Sequence, residues 1–276
     1  MKEIIIDTLK DSLLVVPFLF IAFLIIELIE HKFSKKTNKI ISSSGKLGPF
    51  FGGLLGLLPQ CGFSVLATNL YVTRIISLGT LISVYLATSD EMLPILISSN
   101  VDAKIIIKVL VIKFIIGCFI GFIIDLIYRR KNSNNNYDIC DSEHCDCEHS
   151  GIIKSSLIHT LKTILFIIII SFIINIVFHY FGEDYLSKLL LKDSFFGPFI
   201  TSLIGLIPNC GASVALTELF INNAITFGSL VGGLLTGSGI SLLVLFKSNK
   251  NIKENLSILA IMYIVGVIFG IIIDLI

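Results

Sequence analysis

The chain has 276 residues, of which 54% are hydrophobic and 15% charged, and its mean hydropathy is +0.93. Soluble domains carry about a quarter charged residues, so this composition excludes an ordinary soluble enzyme or binding module and puts nearly the whole chain in lipid. The formal net charge of +1 by itself says nothing about a nucleic-acid or acidic partner, and no nucleic acid is expected; only the distribution of charge along the chain is informative.

In chain order, the first apolar run, residues 13–28, approaches the ~20 residues that cross a bilayer as a helix. Residues 1–11 mix Lys2 and Lys10 with Glu3, Asp7 and Asp11, and no small-residue cleavage site follows the run. The run is therefore expected to remain as a membrane anchor. A basic loop follows it, with His31, Lys32, Lys35, Lys36 and Lys39. Residues 48–99 are apolar but interrupted by Gly52-Gly53, by Pro59-Gln60-Cys61-Gly62, and by Thr88-Ser89-Asp90-Glu91 ahead of Pro94. Proline removes a backbone donor and crowds the carbonyl one turn earlier, and glycine admits backbone conformations closed to other residues, so Pro-x-Cys-Gly predicts an unwound helix. At membrane depth such backbone is tolerated only inside protein or beside a water-filled cavity. The segment fits either three thin crossings or one crossing plus a re-entrant hairpin.

A second long apolar run, 105–127, ends at Asp125 and is followed by Arg129, Arg130 and Lys131. Residues 131–153 form a polar linker, and residues 154–276 contain the apolar runs 164–178 and 258–276 with interrupted segments between them. The loop at 182–194 holds Glu183, Asp184 and Asp193 against Lys188 and Lys192, whereas Lys247, Lys250 and Lys253 make a later loop basic.

The two parts are copies. Gly48-Pro49-Phe50 returns as Gly197-Pro198-Phe199, and the same 149-residue offset pairs Pro59, Cys61, Gly62, Ser64 and Thr68 with Pro208, Cys210, Gly211, Ser213 and Thr217, and Asp125 with Asp274. Basic loops tend to face the cytoplasm. Equivalent loops of the two copies carry opposite bias, which predicts opposite orientation in the membrane. The expected fold is an all-α polytopic membrane protein of two inverted-topology repeats, residues 1–130 and 154–276, with about five transmembrane segments each and helices broken at Pro-x-Cys-Gly. The alternative is a parallel duplication.

A helix break leaves free carbonyls on one side and free amides on the other, either of which can hold an ion. Around the breaks stand Gln60, Cys61, Gly62, Ser64 and Thr68 in the first copy and Asn209, Cys210, Gly211, Ser213 and Thr217 in the second. Cys61, Ser64 and Thr68 share one helical face, as do Cys210, Ser213 and Thr217. These are the candidate substrate-binding residues, against the plainer reading that small residues let membrane helices pack closely. Asp90, Glu91 and Glu218 are carboxylates within apolar segments and are the candidates for ion or proton coupling. Asp125 and Asp274 lie at span ends and read as interfacial anchors or caps.

The linker carries Cys140, His144, Cys145, Cys147 and His149 among four carboxylates. Its neighbouring basic residues place it in the cytoplasm, where thiols stay reduced and a Cys/His cluster reads as a metal ligand set. The irregular spacing matches no structural zinc module, so a loose, exchangeable metal site is expected; the plainer reading is a disordered acidic linker. No resident cofactor is expected, apart from metal passing as substrate or held briefly by this loop.

The duplicated motif, Gly56-Leu57-Leu58-Pro59-Gln60-Cys61-Gly62-Phe63-Ser64 and Gly205-Leu206-Ile207-Pro208-Asn209-Cys210-Gly211-Ala212-Ser213, together with the ligand-rich central loop, resembles the ten-transmembrane heavy-metal exporter family. That family is related to the bacterial organoarsenical permeases, and its members also carry manganese-transport and arsenic-efflux labels. The resemblance covers nearly the whole chain and implies an integral membrane permease of the cell's cytoplasmic membrane, not an enzyme, with Cys61 and Cys210 in contact with substrate. Mn²⁺ prefers oxygen ligands, so two thiols suit trivalent arsenic or a soft cation better. The expected partners are the bilayer and a metal or metalloid, and the chain is compatible with a homo-oligomer. The alternative function is a carrier of an organic anion or other small solute, with the cysteines as packing residues. A membrane thiol-redox enzyme is the least supported, since the intramembrane cysteines are single and no Cys-x-x-Cys pair occurs.

Overall fold

The structure, a computed structural model, describes residues 47–58, 61–89, 92–128 and 196–276, with scattered helical positions between 16 and 24 and between 153 and 172. Among the described residues every regular element is helical and there is no strand. The helices are α1 (Gly48–Gly56), α2 (Cys61–Val72), α3 (Leu78–Ala87), α4 (Met92–Ser98), α5 (Ala103–Tyr128), α6 (Gly197–Gly205), α7 (Cys210–Ile221), α8 (Phe227–Thr236), α9 (Ser241–Ser248) and α10 (Ile252–Leu275). The runs expected at 13–28 and 164–178 lie mostly outside the described residues.

Local sequence explains where these helices begin and end. α1 and α6 each start with Gly-Pro, which sets φ and loses only a donor that would be unpaired at that position. α3 and α8 start at Ser77 and Thr226, whose hydroxyls accept from the amides of Thr80 and Ser229, both at 3.1 Å. α2 and α7 end in turns where Arg74 (φ 61°) and Asn223 (φ 56°) adopt left-handed conformations. There the amides of Ile75 and Ala224 reach back to the carbonyls of Leu70 and Leu219, both at 2.8 Å, which satisfies the last turn of each helix.

Glycine contacts set the helix directions. Gly48 lies against Thr80, Gly52 against Val84 and Gly56 against Ala87, so α1 runs parallel to α3. Only residues 73–77 connect Val72 to Leu78, and Thr68 Oγ1 is 2.6 Å from Tyr85 Oη, so α2 runs antiparallel to α3. α1 and α2 therefore form the two arms of a hairpin. Its arms, of 9 and 12 residues, are about 14 and 18 Å long and too short to cross a ~30 Å hydrocarbon core. Of the two arrangements open to residues 48–99, the structure has a hairpin followed by one interrupted span, Leu78–Ser98.

The same contacts recur in α6 to α10. Gly197 lies on Ser229 and Gly205 on Thr236, while the Phe220 and Phe227 rings meet at 6.0 Å. The hairpin α6–α7 thus precedes the interrupted span Phe227–Ser248. The long helices α5 and α10 run back along α3 and α8. Gly79 meets Gly121 and Asp125, Gly117 meets the carbonyl of Ser83, and Gly228 meets Gly270 and Asp274. A Cβ at Gly121 would stand 2.6 Å from the Gly79 carbonyl oxygen, so these helices pack backbone to backbone, as small residues permit in membranes.

The interrupted spans are the core. Buried residues make up 75% and 83% of their most apolar stretches, against 33% in each of α5 and α10. α5 turns Ile107, Val111, Ile115, Phe119 and Leu126 outward, a helical-period stripe suited to lipid contact. Between the halves, α2 packs on α9 and α7 on α4. Arg74, just before α3, meets Glu254, just after α9, and Lys108, in the first turns of α5, lies 4.7 Å from the ring centroid of Phe227 at the start of α8. The two interrupted spans therefore run in opposite directions.

Candidate functional site

The end of α1 meets the end of α3, and the end of α6 meets the end of α8, in the interior. α1 ends against the end of α3, where a Cβ on Gly56 would be 2.6 Å from the Val84 carbonyl oxygen and 2.9 Å from Ala87 Cβ. Gly205, at the end of α6, lies against Gly233 and Thr236 at the end of α8. Across the halves, Cys210 forms one buried cluster with Val65 of α2 and with Ile240 and Val244 beside the break in the second span. Leu206, in the second bend, packs with Ala67, Tyr71, Val84 and Tyr85 of the first half.

Of the expected substrate residues, Cys61 opens α2 and Gly62 follows it, while Gln60 and Pro59 lie outside the described residues. Ser64 and Thr68 are buried, at 1% and 0% exposure. Thr68 Oγ1 bonds to the Ser64 carbonyl at 2.7 Å and to Tyr85 Oη at 2.6 Å, and Tyr85 Oη donates to the Ser241 carbonyl at 3.5 Å. This chain of hydroxyls links the first hairpin to the break in the opposite span. Asn69 is buried, and its Nδ2 has no partner among the described residues.

In the second copy Asn209 caps α7, accepting from the Gly211 amide at 3.3 Å, and the Cys210 side chain is buried. Ser213 and Thr217 bond back to the carbonyls of Cys210 and Ser213 at 2.8 and 2.6 Å. The hydroxyls satisfy their donors within the helix and keep lone pairs for a ligand. Ser238 Oγ, in the break of the second span, is buried and unpartnered among the described residues.

Glu218 is exposed, and Asp90 and Glu91 lie outside the described residues. So does the loop set Cys140, His144, Cys145, Cys147 and His149. Among the described residues no three His, Cys, Asp or Glu side chains converge on a metal site. Asp125 and Asp274 bind neighbouring helices: Asp125 accepts from the Gly79 amide (2.9 Å) and the Ser77 hydroxyl (2.6 Å), and Asp274 from the Gly228 amide and the Thr226 hydroxyl (both 2.7 Å). Each carboxylate thus holds the positive end of an interrupted span.

Two features escape sequence reasoning. Lys113 is fully buried near the middle of α5, and its Nζ donates to the carbonyls of Thr88 and, at 2.9 Å, Leu234. A lysine inside an apolar run was its only signal. Arg74 makes a two-point pair with Glu254, at 2.6 and 2.9 Å, beside the Tyr71 hydroxyl, which also donates to Glu254. Hydrogen bonding to Glu254 raises the Arg74 guanidinium further above its usual range.

Lipid-facing outer helices around buried, interrupted spans, with polar groups gathered at the interruptions, define a multi-pass helical membrane protein of the transporter class. The chain belongs to the family described as "Putative, 10TM heavy-metal exporter", whose model matches residues 1–185 and 173–276. No curated protein and no solved structure matches the chain.

Proposed function

We propose that the protein is a secondary transporter that exports a heavy metal or metalloid across the cytoplasmic membrane, with its substrate held between the two hairpin bends. Cys61 and Cys210 are the direct ligands in this reading. Gln60, Ser64, Thr68, Asn209, Ser213 and Thr217 complete the shell with the backbone at Gly62 and Gly211, and Asp90, Glu91 and Glu218 exchange protons. The cytoplasmic loop captures metal for delivery through Cys140, His144, Cys145, Cys147 and His149. The observation that supports the reading is that Cys210 of the second motif shares a buried cluster with Val65, the residue after the first motif, and with Ile240 beside the break in the second span.

Residues 1–130 and 154–276 are the two units of this machine, related as inverted-topology repeats. The opposite directions of α3 and α8 support this, as does the charge bias. Arg129 and Arg130 follow α5, and Lys247, Lys250 and Lys253 flank the junction of α9 and α10, on the side where Arg74 meets Glu254. That side is cytoplasmic by the positive-inside rule.

The test is metal and metalloid sensitivity, with cellular accumulation, in a host lacking its own exporters, across Mn²⁺, Zn²⁺, Cu⁺, arsenite and methylarsenite. The wild type is expected to protect against a thiophilic species, and Cys61→Ser/Cys210→Ser to lose that protection while still reaching the membrane. Protection that survives the double substitution would refute the thiol site. No protection against any species would move the assignment to an organic-solute carrier.

A further inference from the structure

Lys113 lies near the middle of the 26-residue α5 and is wholly buried. A charged side chain at such depth is costly and is kept where it pairs or serves. Two of its acceptors are informative. Thr88 closes α3, and Leu234 is in the last turn of α8. Carbonyls in the last turn of a helix have no donor within it and carry the negative end of its dipole. Because α3 and α8 run in opposite directions and both stop in the interior, their carbonyl ends approach the same point from opposite sides. The ammonium sits between them and joins the two halves.

Interrupted helices in transporters use such carbonyl ends to bind small cations. At the position equivalent to Lys113, 149 residues on, the second half has Met262, which is also fully buried. The cation is therefore supplied once, by one half, to a site built from both.

We propose that Lys113 is a built-in cation, filling a carbonyl-lined site for a small monovalent ion between the ends of α3 and α8 that a bound Na⁺ or K⁺ would otherwise occupy. The inference concerns a site separate from the thiols and does not depend on what is transported. The wild type then needs neither ion at this site. Shortening the side chain to Lys113→Ala uncovers the carbonyls, and an external ammonium, methylammonium or Na⁺ ion can take the vacated place. Lys113→Met fills the space with an apolar chain and leaves no such site.

The test is equilibrium binding of radioactive Na⁺ and Rb⁺ to the purified full-length chain in lipid nanodiscs, with thermal stability followed in parallel in N-methylglucamine, Na⁺ and ammonium buffers. The expected result is no saturable binding by the wild type or K113M, roughly one ion per chain for K113A, competition by methylammonium, and a melting temperature that rises with Na⁺ or ammonium in K113A alone. Intact K113A without saturable binding or ion-dependent stability would overturn the proposal, as would equal binding by K113M or loss of wild-type stability in N-methylglucamine. If K113A fails to accumulate, ammonium present during expression and extraction is expected to restore it, and failure of that rescue also counts against the proposal. Because no arm uses export, a negative result here leaves the thiol site standing, and failure of the export assay leaves this site standing.

Discussion

At the scale of residues, the duplicated polar positions divide into those that hold helices together and those left for a ligand. Asp125 and Asp274 belong to the first group. Each reaches from the end of a continuous helix to the amide and hydroxyl that open an interrupted span. Asp125→Ala leaves the Gly79 amide and the Ser77 hydroxyl without their carboxylate and is expected to cost about 1–2 kcal/mol. Asp125→Asn, which keeps one acceptor, should cost less. Thermal unfolding in detergent measures the order, and equal losses for the two variants would contradict the capping role. Reading these aspartates as caps at span ends was sound, but the helix they cap is a neighbour, which spacing along the chain does not reveal. Arg74 makes a related point. It stands in a left-handed turn where the second copy has Asn223, a residue better suited to that backbone, and Glu254, 180 residues away, accounts for its presence.

At the scale of elements, the glycines are not equivalent. At Gly205 a side chain would meet the Gly233 carbonyl oxygen and Thr236 Oγ1, both parts of the neighbouring helix. At Gly211 the nearest atom, Asn209 Nδ2, is 3.6 Å from a built Cβ, an ordinary contact. Gly205→Ala is therefore expected to destabilise by about 1–3 kcal/mol. Gly211→Ala should be neutral or stabilising by up to ~1 kcal/mol, from helix propensity. Thermal unfolding of the two single variants tests the contrast, and a loss at Gly211 as large as at Gly205 would mean that the hairpin bend is packed more tightly than its geometry indicates. The interruption between α6 and α7 was legible, because proline followed by glycine is a strong local signal against a continuous helix. That each bend reverses the chain was not, since a proline motif stops a helix without setting the direction of the next. The parallel register of α1 on α3 decided it.

At the scale of the whole molecule, the two halves are joined by contacts that differ at the two ends. At one end, Arg74, Tyr71 and Glu254 form a hydrogen-bonded clamp between halves. At the other, Lys108 lies over the ring of Phe227, a weaker attraction of about 0.5–1 kcal/mol where exposed. The two ends are thus held by contacts of different strength. If the halves rock against each other during export, the Arg74–Glu254 pair has to part. Joining Arg74→Cys and Glu254→Cys with a short thiol-specific bridge should abolish export, and reduction of the bridge should restore it. Full export by the bridged protein would show that this end stays closed throughout the cycle.

What the sequence determined by itself is what short-range chemistry carries: residence in lipid, from composition; duplication, from the 149-residue recurrence; and helix interruptions, from proline and glycine. Opposite orientation of the halves was readable only as a bias of a few lysines and arginines, whereas the antiparallel course of α3 and α8 was set by contacts between the halves. Only the tertiary structure decided which segments are core and which face lipid, because an apolar helix reads alike in either place. It alone brought Cys210 beside Val65 and set Lys113 between the ends of α3 and α8. Those meetings join residues up to 145 apart in sequence, and no local preference encodes a contact that exists only when both halves have packed.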